Sequence, residues 1–144
     1  MLKKLFFFGL VLALSGCTDK LTYKALNGTF TGKFYYIEPG KLSTNVVSAP
    51  VSVSFSGDKY SSTGNPDRIP AGGSGTVDIL ENDLLNFQDK NGWTANFNWL
   101  LILDGKYHYE LEKDSLIITR YWDLCPTCDS VAPTLYQYRL KRIN

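Results

Sequence analysis

The sequence predicts an all-β fold, a single antiparallel up-and-down β-barrel of about eight strands. Three observations carry that expectation. Short runs of alternating apolar and polar residues recur from residue 29 to the end, the period-two signature of a half-buried strand. Turn chemistry interrupts them every eight to twelve residues, the spacing of sandwiches and barrels. Aromatics make up 14% of the chain, nine of them Tyr, and with Thr and Val they favour strands over helices. No amphipathic helical pattern runs longer than two turns.

Taken in order, Thr29 to Glu38 sets Phe30, Phe34 and Tyr36 on one face against Thr29, Thr31 and Lys33, and Pro39-Gly40 ends it. Val51 to Phe55 alternates and turns through Ser56-Gly57-Asp58 into Lys59 to Ser62. Val77 and Ile79 mark a strand over about 75–80, and Glu81-Asn82-Asp83 turns it into Leu84 to Asp89. Asn91-Gly92 signals another hairpin into Trp93 to Trp99, the most regular alternation in the chain. Leu100 to Leu103 stays open between helix and strand. Asp104-Gly105 then leads to Tyr107, Tyr109 and Leu111, opposite His108, Glu110 and Glu112. Lys113-Asp114 turns the chain into Ser115 to Tyr121, with Leu116, Ile118 and Arg120 on one face, and Leu135 to Arg142 closes the series. Ser61 to Gly75 is a long Gly/Pro/Ser loop, of a length more often functional or mobile than idle.

The first residues belong to no barrel. Lys3 and Lys4 precede an uncharged apolar run, Leu5 to Leu14, too short to span a bilayer as a helix, which needs about 20 residues. Leu14-Ser15-Gly16-Cys17 follows and resembles the lipobox of bacterial lipoprotein precursors. That resemblance implies export, cleavage before Cys17, and lipidation of its thiol, so the expected partner is a membrane held through acyl chains. Thr18 in place of an acid favours the outer membrane, at its periplasmic face or the cell surface. The expected organisation is a signal peptide over 1–16, a lipidated tether over 17–26, and a barrel domain over 27–144.

Removing residues 1–16 from the 144 leaves 128, enough for one core. It also takes Lys3 and Lys4 from 15 basic residues against 14 acidic, leaving 13 against 14 and a net charge of about −1. No basic surplus is left to neutralise phosphates, so nucleic acid is not an expected partner. With Cys17 committed to lipid, Cys125 and Cys128 remain as a Cys-Pro-Thr-Cys pair in an oxidising compartment, read first as a structural disulfide. A thiol–disulfide oxidoreductase is the sharper alternative, but it wants the pair at a helix N-terminus, and no helical period follows Cys128. Zinc needs further ligands, and His108 is the sole histidine.

The same residues predict no catalytic centre, metal or cofactor. His108 shares its face with Glu110 and Glu112, a solvated face, and no nucleophile elbow accompanies it. Ala71 to Gly75 is Gly-rich but leads into a strand and lacks the Lys-Ser/Thr of a phosphate loop.

Asn27-Gly28-Thr29-Phe30-Thr31-Gly32, Leu103 to Leu111, Asp114 to Arg120 and Tyr136 to Arg142 together resemble the lipocalin-like, calycin-type small lipoproteins of Bacteroidetes-type bacteria. Gly28-x-Phe30 stands where lipocalins carry Gly-x-Trp. The resemblance implies a barrel able to hold a small apolar or amphiphilic ligand at its mouth. Inward parity assigns Trp93, Phe97, Trp99, Tyr107, Tyr109 and Tyr138 to such a lining, and Arg120 to a ligand carboxylate through a bidentate hydrogen bond. The competing readings are that these aromatics simply fill the core, and that the domain is an interaction module, an accessory subunit or inhibitor of an envelope complex, working through loops 61–75 and 122–133.

Overall fold

The computed structural model describes residues 21–37, 46–96, 98–122 and 134–143. Cys17, Phe97, Cys125 and Cys128, with the signal segment, lie outside them. The described chain is a closed antiparallel barrel of eight strands in sequence order: β1 (Gly28–Ile37), β2 (Val46–Ser56), β3 (Lys59–Ser62), β4 (Gly73–Leu80), β5 (Leu84–Asp89), β6 (Gly105–Glu112), β7 (Ser115–Trp122) and β8 (Thr134–Ile143). Pairing of β1 with β8, Thr29 opposite Ile143 and Gly32 opposite Leu140, closes the cylinder and leaves no free edge.

Eight of the nine expected strands form. The ninth, Trp93 to Trp99, does not: β5 pairs directly with β6, Leu85 opposite Tyr107, and residues 90–104 run across the end of the barrel instead. In a closed barrel no edge remains to receive another strand, so a regular alternation found no partner. The ambiguous run after it becomes a single 3₁₀ turn, Trp99–Leu101, capped by the Asn98 side chain, which accepts from Leu100 N at 3.0 Å. Leu101, Ile102 and Leu103 then turn inward and are buried. Ala71 N donates to Leu101 O at 3.0 Å and the Tyr60 hydroxyl to Leu103 O at 2.5 Å, pinning this plug to the barrel.

Alternation elsewhere is translated faithfully. Phe30, Phe34 and Tyr36 of β1, Val51, Val53 and Phe55 of β2, and Leu116 and Ile118 of β7 are all buried, and the alternate residues of β1 and β2 between them are partly or fully exposed. Contacts between rings span the interior. Phe87 of β5 lies 6.4 Å from Phe55 of β2, 5.0 Å from Tyr60 and 5.6 Å from Tyr107, the last two edge to face. Tyr107 in turn meets Tyr138 of β8 at 6.2 Å, and Tyr138 meets Phe34 at 4.7 Å. Such pairs add about 0.5–1.5 kcal/mol each beyond the area they bury.

The two ends differ. Tight turns at Gly57-Asp58, Glu81 to Asp83 and Lys113-Asp114 make one end, together with a short helical turn, α1 (Tyr23–Leu26). Thr22 caps α1 by accepting from Ala25 N at 3.2 Å, and Leu26 is fully buried in the core. The folded body therefore begins before residue 27, inside the stretch read as tether, because an apolar residue there covers the barrel floor. Arg142 fastens the turn down: its guanidinium donates to Ala25 O at 2.5 Å and to Asn27 O, and lies 4.3 Å over the Phe30 ring. The strand ends Ile37, Val46, Ser62, Gly73, Asp89, Gly105, Trp122 and Thr134 all lie at the opposite end.

Buried tyrosines give the fold an alkaline limit. Burial pushes Tyr107 up to about 12, with the Arg120 guanidinium opposing and Asp104 adding to the shift. Burial also raises Tyr138 well above the ordinary value of 10.0, with Tyr107 and Tyr60 adding to it. In the unfolded chain these hydroxyls ionise near pH 10, while the barrel retains their protons, so the folded state binds more protons in that window. Stability is thus intact below pH 10 and falls as pH rises past it, by about 1.4 kcal/mol per pH unit for each of the two. Far-UV circular dichroism and tyrosinate absorbance are expected to change together above pH 10. Full ionisation near pH 10 with the β signal retained would contradict this.

Candidate functional site at the loop end

The loop 90–104 and the ends of β5 and β7 line an open cavity of about 280 Å³. Its organising group is Asp89, the last residue of β5. Oδ1 accepts from Ser74 N at 2.9 Å and from Asn91 Nδ2 at 2.7 Å. Oδ2 accepts from Asn91 N at 3.1 Å and from the Trp93 indole N–H at 2.5 Å. Four donors occupy the carboxylate, which suits it to holding a loop. Asp104, just before β6, accepts from Asp89 N at 2.9 Å and ties the two ends of the long loop together.

Arg120 forms the other wall. Its parity on β7 turns it inward with Leu116 and Ile118, and its Nη1 donates to the Asp104 carbonyl at 2.8 Å. The guanidinium sits 5.6 Å from the centre of the Tyr107 ring, so it roofs the aromatic interior. Gly105 makes room for it. That residue has φ +84°, and a Cβ there would come 3.4 Å from Arg120 Nη1. Trp99, Leu100 and Ile102 supply the apolar side, and Trp99 is 54% exposed. The cavity therefore offers indole faces and aliphatic surface on one side and a guanidinium with carboxylates on the other. That arrangement binds a group with an apolar face and a polar rim.

Of the residues expected to line a ligand site, Trp93, Trp99 and Arg120 meet at this cavity. Tyr107 lies directly beneath Arg120, buried. Tyr138 is deeper still, packed between Phe34 and Tyr107. Tyr109 is elsewhere: it is partly exposed toward the tight-turn end and borders a separate groove with Leu21, Tyr23, Ile79 and Leu80. The sequence does not single out Asp89, Asn91 and Asp104 as site residues: Asp89 ends a strand pattern, and Asn91 and Asp104 open turn signals. The spacing Asp89-x-Asn91-x-Trp93 was the available signal, since an acid followed by donors two and four residues on can gather a loop around itself.

Among the described residues, no three His, Cys, Asp or Glu side chains are grouped closely enough to hold a metal ion. His108 is exposed on the outer wall, beside Glu110 on the same face. No family model matches the chain, and neither a curated protein nor a solved structure matches it.

Proposed function

We propose that this chain is a lipid-anchored outer-membrane protein whose lipocalin-like barrel is a non-catalytic interaction module, recognising its partner with the loop end. The observation that carries this reading is the pairing of an interior bridged by aromatic rings and plugged by Leu101 to Leu103 with a Trp99 that is 54% exposed beside the cavity. A large aromatic displayed at a rim, next to an arginine, is the composition of a binding hot spot. The partner fitting this chemistry is an envelope protein that inserts an apolar side chain with a polar neighbour.

A second reading keeps the cavity for a small amphiphile. Its volume of about 280 Å³ falls just below the range of small-molecule sites, about 300 to 1,000 Å³, and supports a small ligand held at the mouth. Under either reading Cys17 carries the lipid, and Cys125 and Cys128 form a disulfide within the loop 123–133.

Native mass spectrometry of the protein purified from its own host tests these points together. The expected spectrum shows acyl mass on Cys17, a deficit of about two hydrogens for the cystine, and a co-purifying polypeptide. Trp99→Ala is expected to weaken that complex by about 30-fold or more, the loss of about 2 kcal/mol typical of a central Trp. Its thermal stability should fall much less than its binding, because about half of the side chain is exposed. A small molecule in place of the polypeptide selects the second reading. Binding unaffected by Trp99→Ala would remove the loop end from both.

A further inference from the structure

We infer that the tight-turn end of the barrel is a bilayer-contacting surface, so that the molecule stands upright on the membrane with its loop end outward. This rests on the lipid-anchor reading above. Leu21, the first described residue, meets the Tyr109 side chain through its backbone and borders a groove of about 390 Å³ at that end. Cys17 precedes it by four residues, which span at most about 14 Å fully extended. Arg142 clamps the next turn to the barrel floor, with bonds to Ala25 O and Asn27 O, so Leu21 is held at this end and Cys17 lies within that reach of it.

Among the described residues, the same rim displays exposed apolar side chains. Tyr23 is 38% exposed, Leu80 37% and Ile143 51%, half of the large hydrophobic residues exposed among those described. Leu80 ends β4 and Ile143 ends β8, four strands apart on opposite sides of the barrel. Apolar contact is thus distributed around the rim, which suits a flat surface better than a single protein patch. The groove bordered by Leu21, Tyr23, Ile79 and Leu80 continues that contact up the wall. Tyr at such a position is typical of the membrane–water boundary.

Charge indicates which forces act. Asp58, Glu81, Asp83 and Asp114 at this end are balanced by Lys24, Lys59, Lys113 and Arg142, so the rim has no basic surplus and attraction to anionic lipid is not what seats it. Contact is apolar and should persist on zwitterionic lipid and in high salt.

The test uses the acylated protein in phosphatidylcholine vesicles with brominated acyl chains, which quench tryptophan on contact. Trp93, Trp99 and Trp122 all belong to the loop end and should keep their fluorescence. Leu80→Trp and Ile143→Trp, at exposed rim positions on opposite sides, should each add an emission that is mostly lost in brominated vesicles, with or without salt. Quenching of the native tryptophans, or neither variant quenched, would overturn the inference. The mass spectrum of the same sample separates the two levels. An unacylated chain overturns the anchor reading and the orientation with it, whereas an acylated chain with unquenched variants overturns the orientation alone.

Discussion

Phe87→Ala is expected to destabilise the barrel by about 3–5 kcal/mol, lowering the melting temperature by roughly 10–20 °C. Phe87 is 1% exposed and touches the rings of Phe55, Tyr60 and Tyr107, which belong to three other strands. Its neighbours are held in place by the sheet and cannot collapse into the space left behind, so the lost transfer energy and the cavity add. Against a total stability of about 5–15 kcal/mol, this is the difference between a folded and a marginal protein. Denaturant unfolding checks it. A loss under about 1 kcal/mol would mean that the interior is loosely packed after all, and would return the balance to a ligand-holding barrel.

Gly32→Ala is expected to be nearly as damaging, and with a sign opposite to the usual one. Exchanging Gly for Ala in an unstrained strand generally stabilises, through the unfolded chain. Here a Cβ would stand 1.9 Å from the carbonyl oxygen of Arg139 and 3.0 Å from Leu140 Cα, both backbone atoms of β8. No side chain can swing aside to relieve that contact. The seam between β1 and β8 must part or bulge, at a cost of about 3 kcal/mol, the upper range for overpacking. Gly92→Ala is the control, since nothing lies within 4 Å of its Cβ position. Equal melting temperatures for the two variants would refute the steric account.

Both predictions rest on features of different legibility. Phe87 was readable as a strand residue between turns, and parity placed Phe30, Phe34, Phe55 and Leu116 inside without further help, because a barrel wall has only two faces. The closeness of β1 to β8 at Gly32 was not readable, since it depends on a pairing between the two ends of the chain. The same limit explains Trp93 to Trp99. Alternation reports that a segment suits a pleated, half-buried surface, but an edge must exist for it to join. Once eight strands close, the ninth pattern goes to the mouth, where Asp89 collects its backbone and side-chain donors.

The candidate site was half visible for related reasons. Trp93, Trp99 and Arg120 attract notice by residue type, and the structure brings them to one place. Tyr109 attracted equal notice and went to the other end, because alternation fixes the face of a residue and leaves its height along the barrel undetermined until the register is known. The α1 turn was read as tether because its sequence is short and polar. A single buried Leu26 and the reach of Arg142 across the chain make it part of the folded body.

The pairing of the first strand with the last has a consequence for how the molecule comes into being. A chain delivered N-terminus first presents β1 long before β8 arrives, and β2 can occupy only one of its sides. The other side, with its row of unpaired amides, waits until residue 143 is out. Folding is therefore governed by the most distant contact in the sequence, a slow topology by nature. Through that interval the half-built sheet is an open template for other chains. A truncation of even the last strand would leave every molecule permanently in that state, and its fate should be aggregation and proteolysis instead of a shorter barrel.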